Sequence, residues 1–271
     1  MNELERDLKE RLRHKPILLM THLMLGYPSF AVNRELVGQM AAGGVDCIEL
    51  QIPFSEPIAD GPAILQAGRK SLEAGTRVAD CLDFGREMAA AYPAVHFFFM
   101  TYYNILFQYG ERPFLEKCRD IGCCGAIVPD LPPEEGAGYI ASSRELGLSP
   151  VPFFAPTSTD ARLAANGRQG EGFVYCVARR GVTGRHTEID ADIAAYLARC
   201  RKATSLPLAV GFGISTRDDV QSLRGKADMA IVGTAAIELV DREDIFRNNN
   251  STRIFKRSVR YIDFKEKHKI T

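Results

Sequence analysis

Eight short apolar runs alternate with amphipathic segments along this 271-residue chain, and this alternation limits the fold more than any other feature. Most of the runs are near-continuous, which is typical of strands covered on both faces. Strands separated by helical segments predict parallel pairing through crossover helices. The predicted strands are Leu18–Leu23, Cys47–Ile52, Val95–Met100, Gly125–Pro129, Pro150–Phe154, Phe173–Ala178, Leu208–Gly213 and Met229–Thr234.

Eight strand–helix units in a chain of this length predict a single-domain (β/α)8 TIM barrel over residues 1–271. The competing architecture is an open doubly wound sheet, which usually has a Gly-rich turn after its first strand. Here the first strand ends in LMLGYPS, with a single glycine, so the barrel is favoured. Residues 1–15 predict an extra N-terminal helix. Residues 241–271 form a divergent polar segment that would contain the last helix.

The composition excludes several classes of protein. Lys plus Arg and Asp plus Glu each total 34, and this balance argues against a dedicated nucleic-acid surface. The charged N-terminal stretch lacks the apolar core of a secretory signal, and no apolar run approaches the length of a membrane span. The seven cysteines, an odd number, suit reduced thiols and not a zinc site. We therefore expect a cytoplasmic protein.

The stretch CIELQIPFSEPIADGP places one carboxylate in a strand and two more acids in the loop that follows. Side chains alternate across a strand, so Glu49 shares a face with Cys47 and Gln51 and points into the barrel. It lies near the carboxyl end of its strand, where barrel enzymes have their active sites. Burial would raise its pKa and suit it to proton transfer, unless it pairs with a buried cation. Asp60 either joins it as an acid–base partner or caps the helix that begins near Pro62.

Glycine-containing turns follow the last three predicted strands. In GFGIS and VGTAAI, backbone N–H groups lie directly after strands seven and eight, the usual phosphate site of barrels. GFVYCVARRGVTGR places Tyr175 on strand six, before a loop whose glycines suit a mobile lid. Each turn alone is compatible with an ordinary tight turn, and Tyr175 alone with core packing. Together the two turns predict a substrate that carries a phosphate monoester.

The order of these motifs resembles the tryptophan synthase alpha subunit family. ELxxPFSxPxADGP is followed by YxN, VPDLP, RxGVTG, GFGIS and G[ST]A, between about Lys15 and about Val240. The PFSxPxADGP loop after a strand glutamate is highly specific. The resemblance implies a carbon–carbon lyase that cleaves indole-3-glycerol phosphate to indole and glyceraldehyde 3-phosphate, in the last steps of L-tryptophan biosynthesis. It implies no cofactor in this subunit.

The resemblance also assigns roles to residues. Glu49 would be the general acid and base, Asp60 would accept the indole N–H and stabilise the positive intermediate, and Tyr175 would lie near the reacting centre. The positions that match the phosphate site are Gly184, Gly213, Gly233 and Thr234. The indole pocket and its lid would contain His22, Gln51, Met100, Tyr102, Thr183 and Phe212.

The partner implied by the resemblance is a pyridoxal-phosphate-containing beta subunit, in an alpha2beta2 heterotetramer. This subunit would receive indole through a tunnel. The residues expected to face it are Pro53, Glu56, Pro57, Asn104 and Pro132.

The sequence departs from the family pattern at four of these positions. The family usually has an aromatic residue at His22, Gly at Gln51, Asp at Glu56 and Ser at Thr234. The first two changes add polar groups on the inward face near Glu49, which either alter the site or are neutral. The chain is therefore a catalytic subunit, a weakly catalytic or non-catalytic allosteric partner of a beta subunit, or a stand-alone lyase. The PFSEPIADGP loop disfavours a different phosphate-handling barrel isomerase.

Overall fold

The computed structural model describes residues 1–177, 191–211, 213–214 and 216–242. Its strands are β1 Leu18–Met24, β2 Cys47–Gln51, β3 His96–Met100, β4 Ala126–Ile127, β5 Phe153–Phe154, β6 Val174–Val177, β7 Leu208–Gly211 and β8 Met229–Val232. They form one eight-stranded sheet in the order β4-β3-β2-β1-β8-β7-β6-β5. The strand pairs within it are parallel, as the alternating sequence predicts.

The sheet closes on itself. Strand β1 pairs with β2 on one side and with β8 on the other, so the first and last strands are neighbours. At the two ends of the strand order, the N–H of Ser149 donates to the C=O of Cys124 at 2.8 Å and joins the segments that lead into β5 and β4. The predicted (β/α)8 TIM barrel is therefore confirmed.

Helices surround the barrel over the described residues. They are α1 Glu3–Leu12, α2 Phe30–Ala42, α3 Pro62–Glu73, α4 Val78–Ala91, α5 Tyr103–Tyr109, α6 Glu111–Ile121, α7 Ala137–Glu145, α8 Asp160–Gln169, α9 Ala191–Ala203, α10 Arg217–Ser222 and α11 Thr234–Arg242. Helix α1 is the predicted N-terminal helix. The helix predicted in the C-terminal segment lies beyond residue 242, outside the described residues.

The strands are mostly shorter than the apolar runs that predicted them. Strands β4 and β5 have two residues each, within predicted runs of five. Both runs contain proline, which has no N–H to donate to a neighbouring strand. Gly125 at the start of the first run has φ +146°, outside the strand region. An apolar run in the sequence thus predicts that a segment is buried. It does not predict how many of its residues form hydrogen bonds with the neighbouring strands.

Alternation along the strands separates an inner core from an outer one. On β2, Cys47 packs with the inner cluster, whereas Ile48 and Leu50 pack with the outer cluster that includes the helices. Leu4 and Leu8 of α1 also belong to the inner cluster. The side chain of Leu4 lies against Gly172, just before β6, so α1 covers the amino ends of the strands. The opposite end of the barrel is left for a site.

We predict that Leu8→Ala lowers the free energy of unfolding by about 2–5 kcal/mol, because it opens a cavity in the inner core. Leu8 is fully buried. Urea unfolding of the purified chain measures the change. The matched control is Leu65→Ala on α3, where the side chain is 40% exposed. A loss for Leu8→Ala no larger than that for Leu65→Ala would show that α1 is not part of the inner core.

Candidate active site

Strand β2 carries Glu49 into the barrel interior. The strand lies between β1 and β3, and its register aligns Glu49 with His22 on one side and Phe98 on the other. Glu49 is only 4% exposed. The period-two alternation that buries Cys47 in the inner core places this acid on the same face. The predicted inward orientation is therefore what the structure shows.

Asp60 lies in the loop between β2 and α3 and is 6% exposed. The N-cap of α3 is Gly61, without a side-chain cap hydrogen bond, so the alternative that Asp60 caps this helix is wrong. Instead, Oδ2 of Asp60 accepts a hydrogen bond from Nε2 of Gln51 at 2.7 Å. The hydroxyl of Tyr102 also hydrogen-bonds to Asp60, while its oxygen accepts from the N–H of Ala59 at 3.1 Å. Two donors thus converge on this carboxylate.

The other end of the Gln51 side chain contacts His22. Oε1 of Gln51 lies 2.5 Å from Nε2 of His22, so these two residues and Asp60 form a continuous hydrogen-bonded chain. Burial lowers the pKa of His22, and the opposing effects of Gln51 and the Asp60 charge are smaller. The imidazole is therefore neutral near pH 7. His22 and Gln51, two of the four positions that depart from the family pattern, therefore lie together. His22 pairs with Glu49 in the register of β1 and β2, and Gln51 follows Glu49 by two residues on the same face of β2.

The two buried acids have different electrostatic surroundings. Burial first, and the Asp60 charge second, raise the pKa of Glu49 to about 8. Burial also raises the pKa of Asp60, but the hydrogen bonds from Gln51 and from the Tyr102 hydroxyl limit the rise. No hydrogen bond to the Glu49 carboxyl group is found within the described part of the chain. Because the Asp60 charge helps to raise the pKa of Glu49, Asp60 ionises before Glu49, and Glu49 keeps its proton near pH 7. Such a separation is typical of acid–base pairs.

Tyr175 lies on β6 and is buried in the inner core. Its ring stacks on Phe153 with centroids 4.9 Å apart. Burial, then the charges of Glu49 and Asp60, raise the pKa of Tyr175 well above its ordinary value, so the hydroxyl stays protonated. On the neighbouring strand, a Cβ at Gly211 would lie 2.7 Å from this hydroxyl. Glycine at that position gives the phenol its space near the two acids.

The glycine turns after β7 and β8 lie side by side. The two strands pair with each other, so their carboxyl ends meet at one place. Gly213 adopts φ +81°, which favours glycine. Gly233 directly precedes α11, which begins at Thr234, and a Cβ at Gly233 would meet nothing within 4 Å. Bare backbone beside a helix N-terminus fits the predicted phosphate site. Gly184 of that predicted site lies outside the described residues.

The predicted indole pocket is only partly covered by the structure. Met100 and Tyr102 are buried at the end of β3 and belong to the inner core. Phe54 from the loop after β2 stacks on Tyr102 with centroids 5.3 Å apart, a contact that the sequence did not reveal. Thr183 and Phe212 lie outside the described residues. Phe107 on α5, shortly after β3, is 66% exposed and so lies outside the pocket.

The residues expected to face a partner differ in exposure. Glu56 and Asn104 are exposed, Pro57 and Pro132 are partly exposed, and Pro53 is buried. The loop that holds Glu56 also contains Ile58, an apolar side chain that is 72% exposed. Exposed large apolar side chains are typical of interaction surfaces when they cluster.

Asn33 is a supporting residue that the sequence did not single out. It is fully buried on α2. Its Oδ1 accepts from the N–H of Gly26 at 2.8 Å, and its Nδ2 donates to the C=O of Tyr27 at 2.9 Å and of Met24 at 3.2 Å. One side chain thus orders the GYPS loop after β1. A polar residue among the apolar positions of an amphipathic helix was the available signal.

The described ranges contain neither a metal-binding cluster nor a membrane-spanning helix. Within them, no group of three or more His, Cys, Asp or Glu side chains is arranged to hold a metal ion. No helix there is long and apolar enough to cross a membrane.

The chain forms a closed parallel barrel, with two buried acids and two adjacent glycine turns at the carboxyl ends of its strands. This arrangement is typical of (β/α)8-barrel enzymes that act on phosphorylated substrates. The chain belongs to the tryptophan synthase alpha chain family, whose model matches residues 8–267. A tryptophan synthase alpha chain from Desulfotalea psychrophila is 56% identical over 238 residues, 88% of this chain and 93% of the relative.

Solved structures agree with this assignment. Tryptophan synthase from M. tuberculosis superimposes with a TM-score of 0.84 at 26% identity, covering 97% of this chain and 96% of that one. A chain of the tryptophan synthase complex from Pyrococcus furiosus superimposes with a TM-score of 0.80 at 28% identity, covering 90% of this chain and 97% of that one.

We predict that Glu49→Gln becomes increasingly stable, relative to the unsubstituted chain, as pH rises. The carboxyl group of Glu49 ionises at its ordinary value of 4.5 when unfolded but near 8 in the native state. Between these values the native state binds more protons than the unfolded state, so its stability falls as pH rises. Glutamine does not ionise and removes this loss.

Urea unfolding from about pH 4 to about pH 9 measures the difference, because that window contains both pKa values. Glu116→Gln, at an exposed acid on α6, is the matched control and should follow the unsubstituted chain at every pH. If the curve for Glu49→Gln stays parallel to that of the unsubstituted chain, Glu49 is not a buried acid of raised pKa.

Proposed function

We propose that this chain cleaves indole-3-glycerol phosphate to indole and glyceraldehyde 3-phosphate by a retro-aldol reaction. The observation that carries the proposal is the pair of buried acids, Glu49 on β2 and Asp60 in the loop that follows. Burial and the Asp60 charge raise the pKa of Glu49 to about 8, so we expect a neutral Glu49 beside an ionised Asp60 near pH 7. This reaction needs both forms, because a carbon atom must be protonated while a positive charge develops nearby. Membership of the tryptophan synthase alpha chain family supplies the substrate.

Glu49 begins the reaction as an acid. It donates its proton to C3 of the indole ring and leaves a positively charged indolenine. Asp60 accepts a hydrogen bond from the indole N–H. Its carboxylate stabilises the positive charge strongly because it is fixed in a site with little water. The ionised Glu49 then takes the proton of the side-chain hydroxyl next to C3. The C3–carbon bond breaks, its electron pair returns to the ring, and the hydroxyl-bearing carbon becomes the aldehyde.

The remaining predicted site residues bind and orient the substrate. The hydroxyl of Tyr175 stays protonated, and the charges of Glu49 and Asp60 act on it. Backbone N–H groups of the turns after β6, β7 and β8 would hold the phosphate at one edge of the barrel mouth. The predicted phosphate-binding residues in these turns are Gly184, Gly213, Gly233 and Thr234.

The partner is a beta subunit that contains pyridoxal phosphate, with no cofactor in this chain, in a cytoplasmic alpha2beta2 assembly. The name of the P. furiosus structure, a tryptophan synthase complex, supports a multi-subunit state. Exposed Ile58 in the loop after β2 and exposed Phe107 on α5 add apolar area beside Glu56 and Asn104. Exposed apolar side chains beside polar ones suit a protein interface.

We predict that Glu49→Gln lowers kcat at least about 100-fold, because the amide can neither donate nor accept the transferred proton. The assay measures indole release from indole-3-glycerol phosphate, with and without a beta subunit from Desulfotalea psychrophila, the source of the related alpha chain. Glu73→Gln, an exposed acid at the end of α3, is the control and should keep full activity.

The same assay separates the alternatives. Release that rises with the beta subunit supports a catalytic subunit of a complex. Full release without it supports a stand-alone lyase. If the unsubstituted chain releases no indole in either condition, or Glu49→Gln releases it normally, the proposed reaction is wrong.

A further inference from the structure

The Gln51 side chain joins a rigid strand to a loop. Gln51 is buried on β2 with 1% exposure, and its amide donates to Asp60, nine residues further along the chain. Two neighbours of Asp60 in the loop, Ile58 and Ala59, are exposed and partly exposed. The carboxylate is therefore held at the barrel by Gln51 and by Tyr102, while part of its loop faces solvent.

The orientation of the Gln51 amide follows from its two neighbours. An ionised carboxylate only accepts hydrogen bonds, so Nε2 of Gln51 must face Asp60. Oε1 then faces His22 and requires a hydrogen on Nε2 of the imidazole, 2.5 Å away. The reverse amide orientation would place two acceptors against each other at the Asp60 end. The chain of hydrogen bonds is therefore polarised in one direction, from His22 to Asp60.

The second nitrogen of His22 agrees with this assignment. Among the described residues, Nδ1 of His22 has no hydrogen-bond partner, although the side chain is buried. A hydrogen on Nδ1 would be a buried donor without an acceptor, and an imidazolium would bury a charge as well. The neutral form with its hydrogen on Nε2 avoids both costs. His22 thus fixes the amide that in turn fixes Asp60.

We propose that Gln51, oriented by His22, is a positioning residue that holds the Asp60 carboxylate ionised and fixed for the indole nitrogen before substrate arrives. This inference rests on the proposed function of Asp60. The amide acts through Asp60 and does not itself touch the reacting atoms. Its hydrogen bond favours the charged form of Asp60, so the two acids keep different protonation states.

The kinetic test is Gln51→Leu, which keeps similar bulk and removes both hydrogen bonds. We expect kcat/KM for indole release to fall about tenfold to hundredfold, as for loss of a hydrogen bond to a charged group. Most of the fall should be in kcat, because the positive charge develops only after protonation. The matched control is Thr101→Val, a fully buried hydroxyl beside the end of β3, which should keep kcat/KM.

A pH profile separates positioning from packing. Within the described ranges, the ionisable groups that act on Asp60 or feel its charge are His22 on β1, Glu49 on β2, Tyr102 after β3 and Tyr175 on β6. Loss of the amide donor should move the acidic limb of kcat/KM to higher pH in Gln51→Leu. A loss of packing alone would lower activity equally at every pH. An unchanged rate and an unchanged acidic limb, in an active unsubstituted chain, would overturn the inference and leave the proposed function intact.

Nitrogen NMR of the histidine ring tests the same hydrogen bonds without activity. The unsubstituted chain should show a neutral His22 with its hydrogen on Nε2, assigned from the signal missing in His22→Phe. Gln51→Leu should lose this preference. A hydrogen on Nδ1, or an imidazolium at pH 7, in the unsubstituted chain would overturn the inference even if the chain releases no indole.

Discussion

The repulsion between two carboxyl groups in a buried site is the interaction on which the rest of this site depends. Glu49 and Asp60 cannot both be ionised at low cost where water is largely excluded. The surrounding groups decide which acid keeps its proton. Gln51 and Tyr102 donate to Asp60 alone, so Asp60 carries the charge and Glu49 remains an acid with a pKa near 8. One acid to donate a proton and one charge to stabilise a cation is what a retro-aldol cleavage of an indole substrate requires.

The barrel maintains this arrangement by assigning the two acids to different elements. Glu49 is fixed by the register of a central strand, paired on both sides. Asp60 lies on a loop and depends on side-chain hydrogen bonds for its place. Helix α1 covers the amino ends of the strands, so the opening lies at the carboxyl ends, where the acids and the glycine turns meet. Glu49 on a strand and Asp60 on a loop thus lie at the same open end of the barrel.

Much of this could be predicted from the sequence, because the signals were local. Alternating apolar runs predicted the barrel, and the period of two on β2 predicted the direction of Glu49. The lengths of β4 and β5 could not be predicted. They depend on which residues beside the prolines form hydrogen bonds with a neighbouring strand. The capping interpretation of Asp60 failed for the same reason: its contact with Gln51 is made between a strand and a loop. The order that Asn33 gives to the loop after β1 is likewise a tertiary effect.

Carbon NMR of the labelled carboxyl groups of Glu49 and Asp60, titrated over pH, shows directly which of the two acids keeps its proton. The two signals can be assigned from Glu49→Gln and Asp60→Asn. We expect Asp60 to be ionised at neutral pH while Glu49 titrates near 8. Replacing Asp60 by Asn should lower the pKa of Glu49, because the neighbouring charge is removed. Two carboxylates that are both ionised at pH 7, or an Asp60 that loses its proton after Glu49, would contradict the assignment of acid and charge.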